Sequence, residues 1–492
     1  MNEKQVTEQL FNMLSSNLDT IECEKEMAKL LNDYCCHLVS QTIERLDDEM
    51  VGQMTSNGYK IDRKDERTVH FLFGSVTYIR RRYIDLANKL GFYPVDYHLG
   101  MFKHKKYSPL VMARMAELAT KMPYRACEEA ISILTPLKIS FNTIRNLVLK
   151  TDKLISNYKE YQEQLEDEKT EQEELLRNQQ KRKVPILYLE GDGLDLFMQD
   201  KNFPRKTLHR YLVHEGTQPI TRSKNKCVNM YQSADFNRKT AYQDMFKYLR
   251  TNYDLSDTII ITNSDNGSGY TYNVFYELTL GCKNHEHFVD KYHVNEKLIQ
   301  RMSFCKEMIP RAKQMINQWD AKERNAIIKE MLLIADNIKD DEQRQKALED
   351  CYRLRGYLSR NWQFIKPIAK RSLGDSMSGI GVSESTHRPF SYRMKRQGRT
   401  WKEKGGNAIA HIISEKKNER FDDVFDFEWQ LTLEKKELNE KAYERNIRSI
   451  VRTLLRLESD EPHEGARKGR VPKEILNKLP DTGVVNYGRW NM

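Results

Sequence analysis

Apolar residues recur at helical spacing in the first part of the chain. The groups that show this spacing are Leu10, Phe11, Met13 and Leu14, and then Leu30, Leu31, Tyr34 and Leu38. Spacing of three and four residues predicts α-helices. From Thr68 to Tyr83 the chain is instead rich in β-branched and aromatic residues around Gly74, which predicts a small β-hairpin. We therefore expect residues 1–105 to form a helical region that contains a small β-hairpin.

Three helix starts follow in residues 106–152. Ser108-Pro109, Pro123 and Ser140 each place a cap residue or a proline where a helix can begin. A short helix, a turn and a capped helix that exposes Asn142 and Arg145 satisfy the requirements of a helix-turn-helix. The pattern predicts a DNA-binding unit of this type, and an ordinary three-helix packing unit is the alternative.

Residues 153–183 are dominated by Glu, Gln and Lys, and Pro185 follows them, which predicts a charged helical linker. Strand-like runs then dominate: Val184–Leu189, Leu194–Met198, Thr207–Val213 and Cys227–Tyr231. A helix from Thr240 to about Tyr253 leads into an apolar strand that ends at Asp265, as a crossover to a parallel neighbour requires. The fold class predicted for residues 184–298 is α/β.

Helical spacing returns in residues 299–375, which predicts an all-helical insertion in the α/β unit. We expect residues 376–457 to hold the closing helix of that unit and a basic segment. Residues 458–492 mix Pro, Gly and basic residues and are predicted to be a basic tail.

Composition narrows the class of protein. The chain has 492 residues, 39% hydrophobic and 31% charged, with mean hydropathy of -0.76, and its first residues lack the apolar region of a secretory signal. We therefore expect a cytoplasmic protein that does not span a membrane. The net charge of +10 indicates a polyanionic partner.

The eight cysteines form no Cys-x-x-Cys pair, which is typical of reduced cytosolic thiols. Cys282, His285 and His287 lie close together and could form half of a zinc site. No second half is evident, so a structural role is the alternative.

Three acids stand where they could hold a metal. Asp192 and Asp265 each stand at the carboxyl end of a predicted apolar strand and precede a glycine within two residues. Glu384 precedes the basic run Arg388–Lys404, which holds seven Lys/Arg and one Glu. Distant carboxylates that meet in the fold could bind two Mg²⁺ ions for phosphodiester chemistry on nucleic acid. The alternative for either aspartate is an ordinary turn, where Asp before Gly is common.

Other acids compete for this role. Glu190 has the same strand parity as Asp192 and should face the same way, and Asp195 and Asp290 are further candidates. We expect Glu190, Asp290 and His293 to lie behind the metal ligands or to contact the substrate.

The motifs taken together resemble the ISLre-type insertion-sequence transposases, relatives of the mutator-like group. The residues that carry the resemblance span roughly residues 65–415 and are Phe73-Gly74-Ser75-Val76, Arg80-Arg81-Arg82-Tyr83, Tyr124-Arg125, Asp192-Gly193, Ser264-Asp265-Asn266-Gly267, Asp290-Lys291-Tyr292-His293, Glu384-Ser385-Thr386-His387 and the run from Tyr392 to Trp401.

The resemblance implies an RNase H-like catalytic core with a DDE triad at Asp192, Asp265 and Glu384. It further implies two Mg²⁺ ions, with Mn²⁺ as a substitute. The expected partners are the terminal inverted repeats of the element and target DNA. The 3'-hydroxyl freed by strand cleavage attacks the target DNA. Two ends must be held together, so a homodimer or a larger assembly is expected, associated with the nucleoid of a prokaryote.

The basic run after Glu384 would then bind DNA. The cations expected to neutralise phosphates are Arg388, Arg393, Lys395, Arg396 and Arg399. Trp401 could stack on an unpaired base or belong to the core, and a solvated basic helix is the alternative for the whole run. Two other functions stay open: a metal-dependent nuclease of the same fold that does not join strands, and a non-catalytic DNA-binding regulator derived from a transposase.

Overall fold

The computed structural model describes residues 2–16, 19–85, 91–101, 105–167, 178–222, 224–267, 269–371, 373, 382–396 and 398–427. At residues 85, 166–167, 224 and 383–385 the description covers the backbone alone. The described residues fall into two compact units, divided after residue 160 and again after residue 420. The predicted basic tail at 458–492 lies outside the described residues.

The first unit begins with two helices and a long hairpin. Its elements are α1 (Glu3–Leu14), α2 (Thr20–Ser56), β1 (Tyr59–Phe71), β2 (Gly74–Asp85), β3 (Gly91–Phe92) and α3 (Pro94–His98). The predicted hairpin around Gly74 is confirmed, with both strands longer than the pattern indicated. Val69 and Val76 are fully buried between the hairpin and α2, where Ile43 packs against them.

Three helices continue this part of the chain: α4 (Pro109–Ala119), α5 (Tyr124–Leu134) and α6 (Phe141–Asp167). The predicted caps are present, because Ser108 Oγ accepts a hydrogen bond from the Val111 N–H (3.2 Å) and Ser140 Oγ accepts one from the Thr143 N–H (3.3 Å). No helix breaker separates residues 152 and 153, so α6 runs on into the segment expected to be a linker. Residues 168–177 of that segment lie outside the described residues.

The second unit is built on a six-stranded sheet. Its elements before the insertion are β4 (Ile186–Met198), β5 (Arg205–His214), the hairpin β6 (Thr217–Thr221) and β7 (Lys224–Cys227), β8 (Tyr231–Asp235), α7 (Arg238–Asn252), β9 (Ile259–Ser264), α8 (Tyr272–Leu278), β10 (Asn284–Val289) and α9 (Lys291–Arg301). The predicted α/β class is confirmed for the described residues. The strand order is β10-β9-β4-β5-β8, with β4, β9 and β10 parallel and β5 antiparallel to β4 and β8.

One strand replaces two predicted ones. Val184–Leu189 and Leu194–Met198 were expected to be separate, with Asp192 at the end of the first. Gly191 and Gly193 instead stay extended and pair with Tyr211 and His209, so β4 continues through Asp192. The prediction that the strand ends at this aspartate is therefore wrong.

Helices cover both faces of the sheet. Leu187 and Leu189 of β4 pack with Met245 and Leu249 of α7 and with Phe275 of α8. On the opposite face, α13 (Ser383–Phe390) and the π-helical turn Ser391–Lys395 pack against β4, and α14 (Glu403–Lys417) packs against β8. The two-residue strand β11 (Thr400–Trp401) pairs with the end of β4.

A helical segment separates α9 from α13. It contains α10 (Ile309–Gln318), α11 (Ala321–Asp336) and α12 (Asp341–Ile365), with a core of its own that includes Met315, Met331 and Leu354. Arg371 joins its end to the sheet. The Arg371 guanidinium donates to Glu286 Oε2 and to the His287 carbonyl of β10, both at 2.9 Å, and to the carbonyls of Gln363 and Phe364 at the end of α12.

None of the helices in the described ranges combines the length and the apolar character that crossing a membrane requires.

Candidate active site

The register of three neighbouring parallel strands brings three aspartates to one level. The last pair of β4 with β9 is Glu190 with Asn263, so Asp192 and Asp265 each lie two residues beyond it. The last pair of β9 with β10 is Ser264 with Val289, so Asp265 and Asp290 each lie one residue beyond it. Because side chains alternate along a strand, Asp192 shares its face with Glu190. The register thus places Asp192 and Asp265 at the same level on neighbouring strands, and the joint binding of a metal by their carboxylates stays a prediction.

The Asp192 carboxylate is held by two donors. Oδ1 accepts a hydrogen bond from the Gly193 N–H (2.7 Å), and Oδ2 lies 2.9 Å from His387 Nδ1 of α13. Burial alone would raise the pKa of Asp192, but the His387 contact, the Gly193 N–H and the charge of Arg210 outweigh it and lower that pKa. Asp192 is therefore ionised at neutral pH.

His387 is a buried, neutral hydrogen-bond donor. Burial is the largest cause that lowers its pKa, and the positive charges of Arg210 and Lys395 lower it further against the opposing effect of Asp192. A neutral ring carries one proton, and the contact with Asp192 places that proton on Nδ1. Among the described residues, no hydrogen-bond partner meets the buried Nε2 atom.

Arg210 lies opposite Asp192 on the adjacent strand β5 and is 2% exposed. Its Nη2 atom donates to Gln232 Oε1 (3.1 Å) and to Thr386 Oγ1 (3.3 Å), and its guanidinium stacks over Phe390 at 4.4 Å. Burial lowers the pKa of Arg210 to about 10, while the charge of Asp192 opposes that shift. The side chain is still a cation at neutral pH, and it ties α13 to the face that carries Asp192.

The two glycines that flank Asp192 leave room for neighbouring side chains on the opposite face, the Tyr270 ring at Gly191 and the Thr207 methyl group at Gly193. A Cβ atom at Gly191 would lie 2.7 Å from Tyr270 Cδ1, and one at Gly193 would lie 2.8 Å from Thr207 Cγ2. Burial and the neighbouring Tyr211 raise the pKa of Tyr270, and the charges of Asp192 and Asp265 raise it further. Tyr270 therefore lies within electrostatic reach of both acids.

Asp265 opens a tight turn directly after β9. Its Oδ1 atom accepts a hydrogen bond from the Gly267 N–H (2.8 Å), and Asn266 takes a left-handed conformation with φ of 54°. Ser264 Oγ accepts from the Asn266 N–H (3.0 Å) and donates to the Tyr270 carbonyl (2.7 Å). The turn thus fixes the backbone from which this partly exposed carboxylate projects.

The other predicted acids take distinct positions. Glu190 is 1% exposed, and its Oε1 atom accepts from the Val382 N–H (3.1 Å) just before α13. Asp290 caps α9 by accepting from the Tyr292 N–H (2.7 Å), and it also accepts from Asn263 Nδ2 (3.4 Å). His293 Nδ1 lies 3.6 Å from Glu296 Oε2 on the same helix.

The backbone of Glu384 lies in α13, three residues before His387, and the Glu384 side chain lies outside the description. Within the described residues, no group of three or more His, Cys, Asp or Glu side chains could hold a metal ion.

The histidines of the predicted zinc half-site, His285 and His287, form hydrogen bonds within the sheet. Thr262 Oγ1 lies 2.8 Å from His285 Nε2 and 2.7 Å from His287 Nδ1. Burial lowers the pKa of His285 to about 4 and that of His287 to about 3. Both rings are neutral at neutral pH, and a shared hydroxyl bridges them.

The basic run divides into exposed and buried cations. Arg388, Lys395 and Arg396 are exposed, and Arg399 is partly buried. Arg393 is 3% exposed and stacks over Trp401 at 4.9 Å. Trp401 is 7% exposed and donates from Nε1 to the Met394 carbonyl (2.8 Å), which corresponds to the core alternative for this residue.

In the first unit, Asn142 and Arg145 are exposed on the first turns of α6. Both side chains of the predicted recognition helix are therefore available to a partner.

Comparison with known proteins assigns the family. The uncharacterised protein family UPF0236 matches residues 13–429. The chain belongs to the UPF0236 family. A UPF0236 protein of Streptococcus gallolyticus, named for its position in the vanSb 3' region, is 30% identical over 418 residues, which cover 85% of this chain and 87% of that protein.

A UPF0236 protein of Caldanaerobacter subterraneus subsp. tengcongensis is 22% identical over 470 residues, which cover 94% of this chain and 87% of that protein. Its name joins eleven designations, from TTE0033 to TTE2212. The UPF0236 match includes Asp192, Asp265, Asp290, Glu384 and His387.

Two residues of this candidate site were not identified from the sequence. Arg210 could have been found, because it interrupts the apolar run Thr207–Val213 at a position of buried parity. His387 was visible only as part of the Glu384 motif, since the helical spacing of three that links the two residues does not reveal its contact with Asp192.

Proposed function

We propose that this UPF0236 protein is the DDE transposase of an insertion sequence, which binds terminal inverted repeats and catalyses metal-dependent DNA cleavage and strand transfer. The alignment of Asp192 and Asp265 on neighbouring parallel strands carries the proposal. Helix α13, whose backbone includes Glu384, lies on the face of the sheet that carries Asp192.

The strand order supports an RNase H-like core for this enzyme. Three antiparallel strands, β4, β5 and β8, are followed along the chain by β9 and β10, which add in parallel beside β4. In open sheets of this kind, ligands bind outside the carboxyl ends of parallel strands. Asp265 and Asp290 follow such ends directly, and Asp192 lies beyond the last residue that β4 pairs with β9.

The donor set suits Mg²⁺. Asp192, Asp265 and Glu384 offer only carboxylate oxygens, which are the ligands that Mg²⁺ prefers. Two bound ions would polarise the scissile phosphate and stabilise the attacking and leaving oxygens. His387 contributes by holding one Asp192 oxygen at 2.9 Å, which orients the other oxygen's lone pairs.

Exposed positive charges near α13 support DNA as the partner. Arg388, Lys395 and Arg396 are exposed at the end of α13 and just beyond it, where they would contact phosphates. Asn142 and Arg145 would read the inverted repeat from α6. The function implies a homodimer or larger assembly that holds two DNA ends, and a location in the cytoplasm at the nucleoid.

The name of the Caldanaerobacter relative adds independent support. A gene present in several copies gives one protein several locus designations, and that name carries eleven. Several copies in one genome are what a mobile element would leave behind.

The test uses the full chain and DNA that carries the sequences flanking its own reading frame. We expect Mg²⁺-dependent cleavage at the element ends and joining of pre-cleaved ends to target DNA. Asp192→Asn and Asp265→Asn should abolish both reactions and retain end binding. Asp195→Asn is the matched control. Strand alternation places Asp195 on the face opposite Asp192, where it is exposed and accepts a hydrogen bond from Thr207 Oγ1 (2.6 Å), so the structure does not support it as a metal ligand.

The outcomes separate the candidate functions. Cleavage without joining would indicate a nuclease of the same fold. End binding without either reaction, in wild type and variants alike, would indicate a DNA-binding regulator.

A further inference from the structure

The helical segment between α9 and α13 reaches the turn that carries Asp265. Asn266 Nδ2 donates a hydrogen bond to Asn361 Oδ1 of α12 at 2.6 Å, across 95 residues of chain. Asn361 is 5% exposed, and its own Nδ2 donates to the Tyr357 carbonyl (2.9 Å). Water therefore competes little for this contact, and both polar groups of Asn361 are used.

Asn266 has a backbone conformation that a contact from outside the turn can stabilise further. Its φ of 54° is a left-handed conformation that L-residues adopt at a free-energy cost, although asparagine tolerates it better than most. Asp265 precedes it directly, and Asp265 Oδ1 accepts from the Gly267 N–H on its other side. A change in the Asn266 backbone would therefore redirect the Asp265 carboxylate.

A second residue of α12, Tyr357, interacts electrostatically with Asp265. The hydroxyl of Tyr357, one helical turn before Asn361, is buried, and no described residue forms a hydrogen bond with it. Burial raises the pKa of Tyr357, and the negative charges of Asp265 and Asp290 raise it further. Tyr357 therefore lies within electrostatic reach of Asp265, the residue whose turn Asn361 contacts.

We infer that Asn361 is a positioning residue, through which the helical segment fixes the Asp265 turn for divalent-cation binding. The inference rests on the proposed function, since it assigns Asp265 a cation. It gives α12 a direct part in the site instead of a role as a spacer between β10 and α13.

The test is Mn²⁺ binding to the DNA-free full chain, measured by calorimetric titration, for Asn361→Ala, Asn266→Gly and the double variant. Glycine at position 266 keeps the left-handed backbone available while it removes the side chain. We expect each single variant to bind Mn²⁺ about 10- to 100-fold more weakly than wild type. The double variant should bind Mn²⁺ with the same affinity as the single variant that binds it more weakly, because both changes break the same contact.

Asp350→Asn is the matched control. Asp350 also lies on α12, and it pairs with Arg301 Nη1 at 2.6 Å, so its loss loosens the helix without touching the Asp265 turn. We expect Mn²⁺ affinity near that of wild type for this variant.

Three results would overturn the inference, and they differ from a failure of the proposed function. Unchanged affinity in Asn361→Ala, additive losses in the double variant, or an equal loss in Asp350→Asn would each remove the positioning role while wild type still binds Mn²⁺ and cleaves DNA. Wild type that neither binds Mn²⁺ nor cleaves DNA would overturn the proposed function and this inference together.

Discussion

His387 Nδ1 lies 2.9 Å from Asp192 Oδ2, so a helix that follows a long helical segment supplies the donor that orients an acid on the first strand of the sheet. The contact joins two residues that lie far apart along the chain. The His387 contact adds no charge of its own to the site, because the buried His387 ring is neutral at neutral pH.

Removing this donor should slow catalysis more than it weakens DNA binding. We expect His387→Ala to lower the rate of DNA-end cleavage about 10- to 100-fold, the range seen when a residue that orients a metal ligand is lost. The measurement is single-turnover cleavage at saturating DNA, beside a binding titration. His411→Ala is the control, since His411 Nε2 contacts Asp235 Oδ2 at a similar 3.0 Å elsewhere in the same unit. An equal rate loss in both variants would attribute the effect to general destabilisation.

The fold should lose stability in mild acid because of two buried histidines. The pKa of His285 falls to about 4 and that of His287 to about 3 in the folded protein, so the unfolded chain binds more protons below its own histidine pKa. Stability is therefore present above about pH 6.5 and is lost as pH falls, by up to about 1.4 kcal/mol per pH unit for each ring.

Urea unfolding between about pH 7 and pH 5 measures this slope. The variant His285→Gln/His287→Asn keeps a polar atom near Thr262 without a titrating ring, and its slope should be flatter than that of wild type. His98→Gln, at an exposed position, should keep the wild-type slope. If all three proteins lost stability equally steeply with falling pH, His285 and His287 would not be the source of the pH dependence.

Exposed cations near α13 should set the salt dependence of DNA binding. We expect Arg388→Ala and Arg396→Ala each to reduce the slope of log binding constant against log salt by about one unit. Binding isotherms over a range of NaCl concentrations give that slope. Lys346→Ala, an exposed cation on α12, is the control. A slope that stays at the wild-type value in the two arginine variants would exclude phosphate contacts at these positions.

The start of α6 should select the DNA sequence. Arg145→Ala should weaken binding to the inverted repeat and leave binding to unrelated DNA nearly unchanged, because a base contact distinguishes sequences and a phosphate contact does not. Competition between the inverted repeat and unrelated DNA measures the ratio of the two affinities. Lys153→Ala, an exposed cation two turns further along α6, should change both affinities alike or neither. A retained ratio in Arg145→Ala would favour the ordinary three-helix packing unit.

Local sequence patterns predicted the presence of helices and strands better than the residues at which they end. The hairpin at Gly74, the caps at Ser108 and Ser140 and the strand before Asp265 follow from residue types within a few positions. The continuous strand β4 did not, because Gly191 and Gly193 resemble a turn in sequence. Their extended conformation depends on pairing with β5 and on the Tyr270 ring, which comes from a distant part of the chain.

The candidate site was predictable only in part for the same reason. Strand parity placed Glu190 and Asp192 on one face, and the structure shows both in contact with α13 or the residue before it. No local pattern indicates that Asn361 binds Asn266, since that contact depends on how α12 packs. The buried position of Arg393 was equally hidden, because Lys395 and Arg396 of the same basic run are exposed.

Arg371 has a consequence for how the second unit comes apart. A single guanidinium bonds to β10 and to the last carbonyls of α12, so neither element can open without breaking bonds to the other. Amide protons of the helical segment and of β10 should therefore exchange with solvent as one cooperative group. The helical segment would in that case melt together with β10, the edge strand that ends next to Asp290.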